Sequence, residues 1–367
     1  MTIQTIGVLG AGTMGAGIAI TGVLGGYEVV LSDSSAEALS RAEAKLGKYL
    51  ARQVDKGRMD ETNAQAAQAR FNLSQDIKGL AAADLVIEAV FEDLSVKREV
   101  FAQLEGLVSA DCILATNTSA LKVGDIAEAL SNRDRFCGLH YFSPAEINPV
   151  VEVIRGAETS EATVATILPM LAACRKRAIP CKDQSGFALN RFFCPYTNEA
   201  VRCLEEGLGT QSQIDAVAMA TLGLAIGPFA VMNIVKPNIN LAAVRNLSPL
   251  GEFYAPAAEF IRVGEAQMLW EIEESPALDA NQSAAIADRL RGAIFFAVLD
   301  EISEGVAAAA DIDMGAQMAF TFAKGPAQMM RELGETEVTR LITLAAGSAA
   351  MRVESTLQNL LLEPVEA

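Results

Sequence analysis

Proton transfer near neutral pH would fall to His140, the only histidine among the 367 residues of this chain. Imidazole is the side chain best suited to gain and lose a proton in that range. His140 lies in residues 138–144, which read Gly-Leu-His-Tyr-Phe-Ser-Pro and are dense in glycine, proline and aromatic residues. A single histidine is more often structural than catalytic, so a structural role is the alternative. The elements that would surround His140 decide between the two.

A glycine-rich turn near the start of the chain predicts a nucleotide site. Residues 6–9 are an apolar run, residues 10–15 read Gly-Ala-Gly-Thr-Met-Gly, and a second apolar run covers residues 27–33. This is the strand, turn, helix and strand pattern of a dinucleotide-binding unit, in which a pyrophosphate meets the helix N-terminus. The candidate cofactor-binding residues of this turn are Gly10, Gly12, Thr13, Met14 and Gly15.

An acidic residue selects between the two nicotinamide cofactors. Asp33 follows Gly15 by 18 residues, where a carboxylate accepts hydrogen bonds from the adenosine ribose. The same carboxylate repels the additional phosphate of NADP. NAD is therefore the expected cofactor.

Composition and charge exclude several classes of partner. A formal charge of −17 and a pI near 4.6 argue against nucleic acid or an anionic membrane surface, which both need clustered lysine and arginine. The apolar stretch 6–24 has no basic leader, and residues 7–25 include seven glycines, so we expect neither a signal sequence nor a membrane span. Six cysteines without a C-x-x-C pair, together with one histidine, predict no metal site and a reducing, cytoplasmic location.

The pattern of elements predicts an α/β N-terminal Rossmann-like domain followed by an all-α region. Two helices are expected over residues 36–70, a buried strand over 83–92 and another strand over 112–115 that ends in Thr-Asn-Thr-Ser at 116–119. Residues 150–154 alternate as a strand. Because ligands of open parallel sheets bind at the carboxyl ends of the strands, residues 116–119 are a plausible substrate rim.

The second half of the chain contains an internal repeat. A shift of 98 residues places Arg191 on Arg289, Asp215 on Asp313 and Gly-Pro 227–228 on Gly-Pro 325–326. Two copies of one helical unit are therefore expected, over residues 185–235 and 286–333. The predicted domains are 1–183 for NAD binding, 184–280 for the first helical domain and 281–367 for the second repeat.

Six motifs stand in the order and spacing of the L-3-hydroxyacyl-CoA dehydrogenases, and the chain resembles this family over nearly its whole length. The motifs are Gly-Ala-Gly-Thr-Met-Gly at 10–15, Asp-Leu-Val-Ile-Glu-Ala-Val-Phe-Glu-Asp at 84–93 with Lys97, Asn-Thr-Ser at 117–119, Gly-Leu-His-Tyr-Phe-Ser-Pro at 138–144, Val-Glu-Val-Ile at 151–154 and Gly-Phe-Ala-Leu-Asn-Arg at 186–191. The doubled helical unit is similar to the dehydrogenase portion of the multifunctional fatty-acid oxidation enzymes, without the fused hydratase.

The resemblance implies NAD-dependent interconversion of an L-3-hydroxyacyl-CoA and its 3-oxoacyl-CoA. His140 would be the general base and Glu152 its carboxylate partner. NAD+ accepts hydride from C3 of the substrate only as the 3-hydroxyl loses its proton, and Glu152 would fix the imidazole tautomer and stabilise the imidazolium.

The resemblance also assigns the residues around this pair. Ser119 and Asn190 would hydrogen-bond the reacting oxygen or the thioester, Glu92 and Lys97 would border the nicotinamide end of NAD, and Asn117 would contact the cofactor. The structural alternatives are a turn hydroxyl for Ser119 and a helix cap for Asn190.

Some residues depart from the family pattern. Ser143 stands where many single-function members have Asn, and Ser185 replaces a frequent proline. Asn233 replaces an acid in a segment that continues with Lys236 and Pro237, so the acyl-chain preference is open.

The second repeat should not be catalytic, since Asp288 stands opposite Asn190 and no second histidine exists. A fused copy covers the surface by which relatives with one such unit dimerise, so we expect a monomer, with a dimer through another surface as the alternative. An acyl-CoA substrate is the expected partner, with a hydratase and a thiolase as pathway partners. The rival functions are a dehydrogenase of the same fold that acts on a free hydroxy acid or a carnitine-like alcohol, and a non-catalytic NAD-binding protein.

Overall fold

The computed structural model describes residues 2–362 and divides the chain into two compact units, with the boundary between Asp183 and Gln184. The first unit is an eight-stranded sheet with helices, and the second is helical. This confirms the predicted class, a Rossmann-like α/β domain followed by an all-α region.

The sheet of the first unit has the strand order β3-β2-β1-β4-β5-β6-β7-β8. Neighbouring strands pair in parallel except β6 and β7, which are antiparallel. The strands are β1 (Thr5–Leu9), β2 (Glu28–Ser32), β3 (Phe71–Ser74), β4 (Leu85–Glu88), β5 (Ile113–Thr116), β6 (Phe136–Tyr141), β7 (Val150–Arg155) and β8 (Arg177–Lys182). Because β1 to β6 run in one direction, their carboxyl ends share one edge of the sheet.

Six helices of this unit pack on the sheet. They are α1 (Thr13–Leu24), α2 (Ala36–Asp55), α3 (Glu61–Ala69), α4 (Leu94–Glu105), α5 (Val123–Ala127) and α6 (Glu161–Ala173). Leu85 and Ile87 of β4 share one core cluster with residues of α1, α2 and α6. Val86 lies between them and points to the opposite face, since side chains alternate along a strand. The central strands are therefore apolar on both faces, as a parallel sheet covered by helices requires.

The second unit contains the helices α7 (Leu189–Glu205), α8 (Gln211–Leu222), α9 (Pro228–Val235), α10 (Pro237–Arg245), α11 (Ala258–Glu265), α12 (Ala280–Ser303), α13 (Ala309–Phe320), α14 (Pro326–Leu333), α15 (Glu335–Ala346) and α16 (Glu354–Leu362). The bounds of α13 and α14 are those of α8 and α9 advanced by 98 residues. The start of α15 is likewise 98 residues beyond that of α10, so the structural repeat continues past the end of the repeat inferred from sequence.

The repeated Gly-Pro pairs have a packing reason. The carboxylate of Asp215 accepts the N–H groups of Phe229 (2.8 Å) and Ala230 (3.1 Å) and so satisfies the first turn of α9. A Cβ at Gly227 would lie 2.3 Å from the Asp215 side chain. Asp313 and Gly325 repeat this arrangement at the start of α14.

Reciprocal ion pairs join the two repeats. Arg191 in the first repeat pairs with Glu304 in the second (2.7 Å), and Arg289 in the second pairs with Glu206 in the first (2.7 Å). A shift of 98 residues converts one pair into the other. Arg191 is fully buried, and it also reaches Asp300 at 3.2 Å.

The segment 233–237, which departs from the family pattern, lies in α9 and directly after it, and Asn233 of α9 makes two hydrogen bonds to the backbone of Trp270. Asn233 donates to the carbonyl of Trp270 (2.9 Å) and accepts its N–H (2.8 Å). Lys236, between α9 and α10, has a φ of 87°, and the matching residue of the second repeat is Gly334 at 79°. The two repeats thus need the same unusual backbone conformation, which Lys236 adopts at a cost that glycine avoids.

Within residues 2–362, no helix is both long and apolar enough to cross a membrane. In the same range, no three histidine, cysteine, aspartate or glutamate side chains come together as metal ligands do.

All six cysteines are buried and none forms a disulfide. Burial raises the pKa of the Cys137 thiol to about 12 and so keeps it protonated.

Candidate active site

The glycine turn leaves room for a ligand on one side only. Gly10 has a φ of 103°, and a Cβ there would lie 2.6 Å from the carbonyl oxygen of Ala89. A Cβ at Gly15 would lie 1.8 Å from the carbonyl oxygen of Gly10, which excludes any side chain. A Cβ at Gly12 would meet no protein atom within 4 Å. Gly12 thus borders open space, as a backbone that receives a pyrophosphate must.

The N-terminus of α1 presents its N–H groups to that space. Thr13 and Met14 are the first two residues of α1, and no side chain caps the helix at Gly12. Uncapped N–H groups at a helix start are good donors to phosphate oxygens. The turn and this helix therefore fit a dinucleotide.

Asp33 holds the other side of the turn. Its carboxylate accepts the N–H of Ala11 at 2.7 Å and the N–H of Ser35 at 2.8 Å. Asp33 directly follows β2, so it lies beside the turn on the side where an adenosine ribose is expected. A negative charge here disfavours a 2′-phosphate.

His140 and Glu152 form a buried pair. They lie directly opposite each other on the antiparallel strands β6 and β7, and His140 Nδ1 is 2.6 Å from Glu152 Oε2. The Glu152 side chain is fully buried and that of His140 is 7% exposed. The ring of Phe142 lies against the imidazole, with 4.5 Å between ring centroids. Register and packing thus fix both the position and the tilt of the imidazole.

The loop between β6 and β7 is anchored by residues that the sequence did not single out. Lys176 Nζ donates to the carbonyls of Ala145 and Asn148, both at 2.6 Å. Burial lowers the pKa of Lys176 to about 8. Glu146 pairs with Lys45 of α2 at 2.9 Å. Lys176 precedes a strand and is charged, so nothing in the local pattern marks it as an anchor.

A second polar group lies at the carboxyl ends of β4 and β5. Lys97 is 1% exposed and lies between two carboxylates, at 2.6 Å from Glu88 and 3.2 Å from Glu92. Glu92 also accepts the N–H groups of Ser119 (3.0 Å) and Ala120 (3.2 Å). The carboxylate of Glu92 therefore shapes the loop after β5.

Asn117 links this group to the histidine strand. Its Oδ1 accepts the N–H of Tyr141 at 2.9 Å, next to His140. Glu92, Lys97, Asn117, Ser119 and the His140–Glu152 pair thus gather at the edge of the sheet that carries the glycine turn. The sequence missed Glu88, which reads as the polar end of a buried strand.

Asn190 belongs to the second unit and lies at the start of α7. It is the second residue of α7, whose N-cap is Ala188, so Asn190 is not the helix cap that the sequence left as an alternative. Its counterpart Asp288 lies inside α12 and pairs with Arg340 at 2.7 Å. The two repeats therefore differ in charge at this position, and in the second repeat the side chain forms an ion pair with Arg340.

Comparison with known families gives two matches. Residues 5–184 match the model described as the NAD binding domain of 3-hydroxyacyl-CoA dehydrogenase. Residues 186–269 match the C-terminal domain of the same family.

Curated relatives point the same way. The 3-hydroxyadipyl-CoA dehydrogenase of Escherichia coli is 37% identical over 66% of this chain, which spans only 51% of that relative's length. The probable 3-hydroxybutyryl-CoA dehydrogenase of Bacillus subtilis is 36% identical over 69% of this chain and 88% of its own.

Solved structures extend the likeness to the whole chain. A crystal structure of 3-hydroxybutyryl-CoA dehydrogenase from E. coli has a TM-score of 0.88, 25% identity and 99% coverage of both chains. The dehydrogenase part of multifunctional enzyme 1 from C. elegans has a TM-score of 0.61 at 21% identity, with 98% of this chain and 90% of that chain covered, which shows a shared fold.

Proposed function

Because the chain belongs to the 3-hydroxyacyl-CoA dehydrogenase family, we propose that it oxidises an L-3-hydroxyacyl-CoA to the 3-oxoacyl-CoA, reversibly and with NAD+. The observation that carries the proposal is the buried His140–Glu152 pair, at 2.6 Å, on the sheet edge that bears the glycine turn. The pair supplies a base, and the turn supplies a dinucleotide site.

His140 acts as the general base. When Nδ1–H donates to Glu152, Nε2 is the basic nitrogen of the ring, and it takes the proton of the 3-hydroxyl. The imidazolium that forms is stabilised by the Glu152 carboxylate, which is already desolvated in the folded protein. Bound NAD+ supplies the acceptor for the hydride that leaves C3.

Other residues hold the substrate and the cofactor. The turn at Gly12 and the N–H groups of α1 bind the pyrophosphate, and Asp33 binds the adenosine ribose. By the family motif, Ser119 is assigned a hydrogen bond to the reacting oxygen or the thioester, and Asn190 is assigned the same role. Both assignments extend the family motif to this chain.

The CoA phosphates need cations, and α2 and the turn after it offer them. Lys45 pairs with Glu146, so Lys48, Lys56 and Arg58 are the better candidates. All three lie near the end of α2 or in the turn before α3. The names of the relatives favour a short acyl chain, with or without a distal carboxylate.

The reciprocal ion pairs, by which the two repeats of one chain contact each other, support a monomer. Six buried cysteines without a disulfide among them support a reducing, cytoplasmic location. A hydratase and a thiolase would supply the substrate and consume the product.

A panel of thioesters tests the proposal. Absorbance of NADH is followed with 3-hydroxybutyryl-CoA, longer 3-hydroxyacyl-CoAs, 3-hydroxyadipyl-CoA and the matching free acids. Turnover of thioesters and not of acids is expected, and His140→Ala should lower kcat by about 10²–10⁴-fold with NAD+ affinity retained. Turnover of free acids alone would identify a dehydrogenase of another substrate class. NAD+ binding without turnover of any thioester would identify a non-catalytic protein.

A further inference from the structure

We propose that Glu88, Lys97 and Glu92, here called the β4 triad, hold one net negative charge beside the nicotinamide end of the cofactor site and so favour NAD+ over NADH. The relevance of this preference to catalysis rests on the proposed dehydrogenase activity, whereas the preference itself concerns cofactor binding alone. Its test requires cofactor binding and no turnover.

Glu88 is the buried anchor of the triad. It is the last residue of β4 and is fully buried. Its Oε1 accepts Lys97 Nζ at 2.6 Å and the N–H of Val90 at 2.7 Å, while Oε2 accepts the Thr116 hydroxyl at 2.7 Å. Neither donor on Oε1 can accept a proton in return, so this oxygen acts only as an acceptor. The contacts are those of an ionised carboxylate.

Lys97 cannot neutralise both acids. Its single ammonium serves Glu88 at 2.6 Å and Glu92 at 3.2 Å, so two carboxylates share one positive charge. Glu92 is 37% exposed and extends the triad toward solvent, whereas Glu88 and Lys97 are buried. Because Lys97 lies nearer to Glu88, the excess negative charge falls mainly on Glu92, where solvent screens its field in part.

The order of the strands places this charge. Asp33 follows β2 on one side of the β1 turn, and the triad follows β4 on the other. The residue after Glu88 touches the turn, since a Cβ at Gly10 would meet the carbonyl of Ala89. A dinucleotide with its adenosine at Asp33 therefore carries its nicotinamide toward the triad and His140.

The redox state of the nicotinamide then changes the interaction. The ring is a cation in NAD+ and neutral in NADH, so a nearby negative charge stabilises the oxidised form selectively. A triad that only holds the loop after β5 would instead affect both forms equally. These two roles make different predictions.

Cofactor titrations of the full chain decide between them. Dissociation constants for NAD+ and NADH are measured by calorimetry and by NADH fluorescence, without substrate. Glu88→Gln keeps the shape of the side chain and removes one charge, and the ratio of the NAD+ constant to the NADH constant should rise roughly 3–10-fold. Glu105→Gln, at the far end of α4, makes the same chemical change and should leave the ratio unchanged.

Two further variants keep the test decisive. Glu92→Gln lies at the exposed rim and should raise the ratio in the same direction, even where Glu88→Gln does not fold. Lys97→Met leaves two carboxylates and should lower the ratio. Equal changes in both dissociation constants, or an unchanged ratio in the folded Glu88 and Glu92 variants, would overturn the proposal.

Discussion

The Glu152→Gln substitution isolates the charge beside the proposed base. Glutamine has nearly the shape of glutamate, and its carbonyl oxygen can still accept from His140 Nδ1. What the variant loses is the negative charge that faces the imidazolium when the substrate proton arrives. Because Glu152 is fully buried, no water takes over that role.

The geometry sets the expected magnitude. A contact of 2.6 Å between Nδ1 and Oε2 places the two charge centres roughly 4 Å apart, which corresponds to about 4 kcal/mol at an effective dielectric constant of about 20. The amide dipole recovers part of this, so kcat should fall by about 10²–10³-fold. KM for the acyl-CoA and the dissociation constant of NAD+ should change little, because the charge forms only on the way to the transition state.

Steady-state rates in both directions provide the assay. Oxidation and reduction share one transition state, and the substitution leaves the overall equilibrium unchanged, so kcat/KM should fall by the same factor in both directions. Glu158→Gln is a suitable control, because Glu158 is an exposed acid that pairs with Arg133 and lies away from the histidine. A folded Glu152→Gln protein with turnover within about threefold of the parent would refute the reasoning, since the pair would then contribute under about 1 kcal/mol.

Two further perturbations test the helical unit. Arg289→Leu removes one of the two guanidinium groups that pair with the buried Glu199 and leaves only Arg202. Urea denaturation should therefore show a loss of about 2–4 kcal/mol in the free energy of unfolding. The control variant Arg340→Leu, at an exposed ion pair, should lose under about 1 kcal/mol. Equal losses in the two variants would contradict this account. Burial raises the pKa of Asp215 from 3.8 to about 6, so the folded protein binds this proton more tightly than the unfolded chain does. The stability of the parent relative to Asp215→Asn should therefore be greatest below pH 4 and fall by up to about 3 kcal/mol as pH rises to 7, and a difference independent of pH would contradict the assigned pKa.

Local patterns were enough to predict the elements that position the site. The glycine turn and the apolar runs around it fix β1, α1 and β2, because each is encoded in a few consecutive residues. The carboxyl ends of β4 and β5 were recognised as one edge because parallel strands must share it. The 98-residue repeat was visible since Gly227 and Gly325 are both required by the aspartate that each one touches.

Contacts between distant segments were beyond the reach of the sequence. Lys176, the residue before β8, holds the loop after His140, and no local pattern distinguishes it from a surface lysine. Glu88 ends an apolar run and gives no sign that Lys97, nine residues later, turns back to it. The pairing of Arg191 with Glu304 likewise depends on the packing of the two repeats. Such partners are chosen by tertiary structure, which residue type and spacing alone do not specify.

The crossed arginine pairs of the helical unit have a consequence for how this protein behaves on dilution. Halves that met as separate chains would come apart at low concentration, whereas covalent linkage keeps each one at a high effective concentration around the other. Because the linkage keeps the two repeats together, their contact surfaces need not be identical, and the sequence of one repeat can differ from that of the other. The two halves do differ at one repeated position, where Asp288 pairs with Arg340 and its counterpart Asn190 is an uncharged amide.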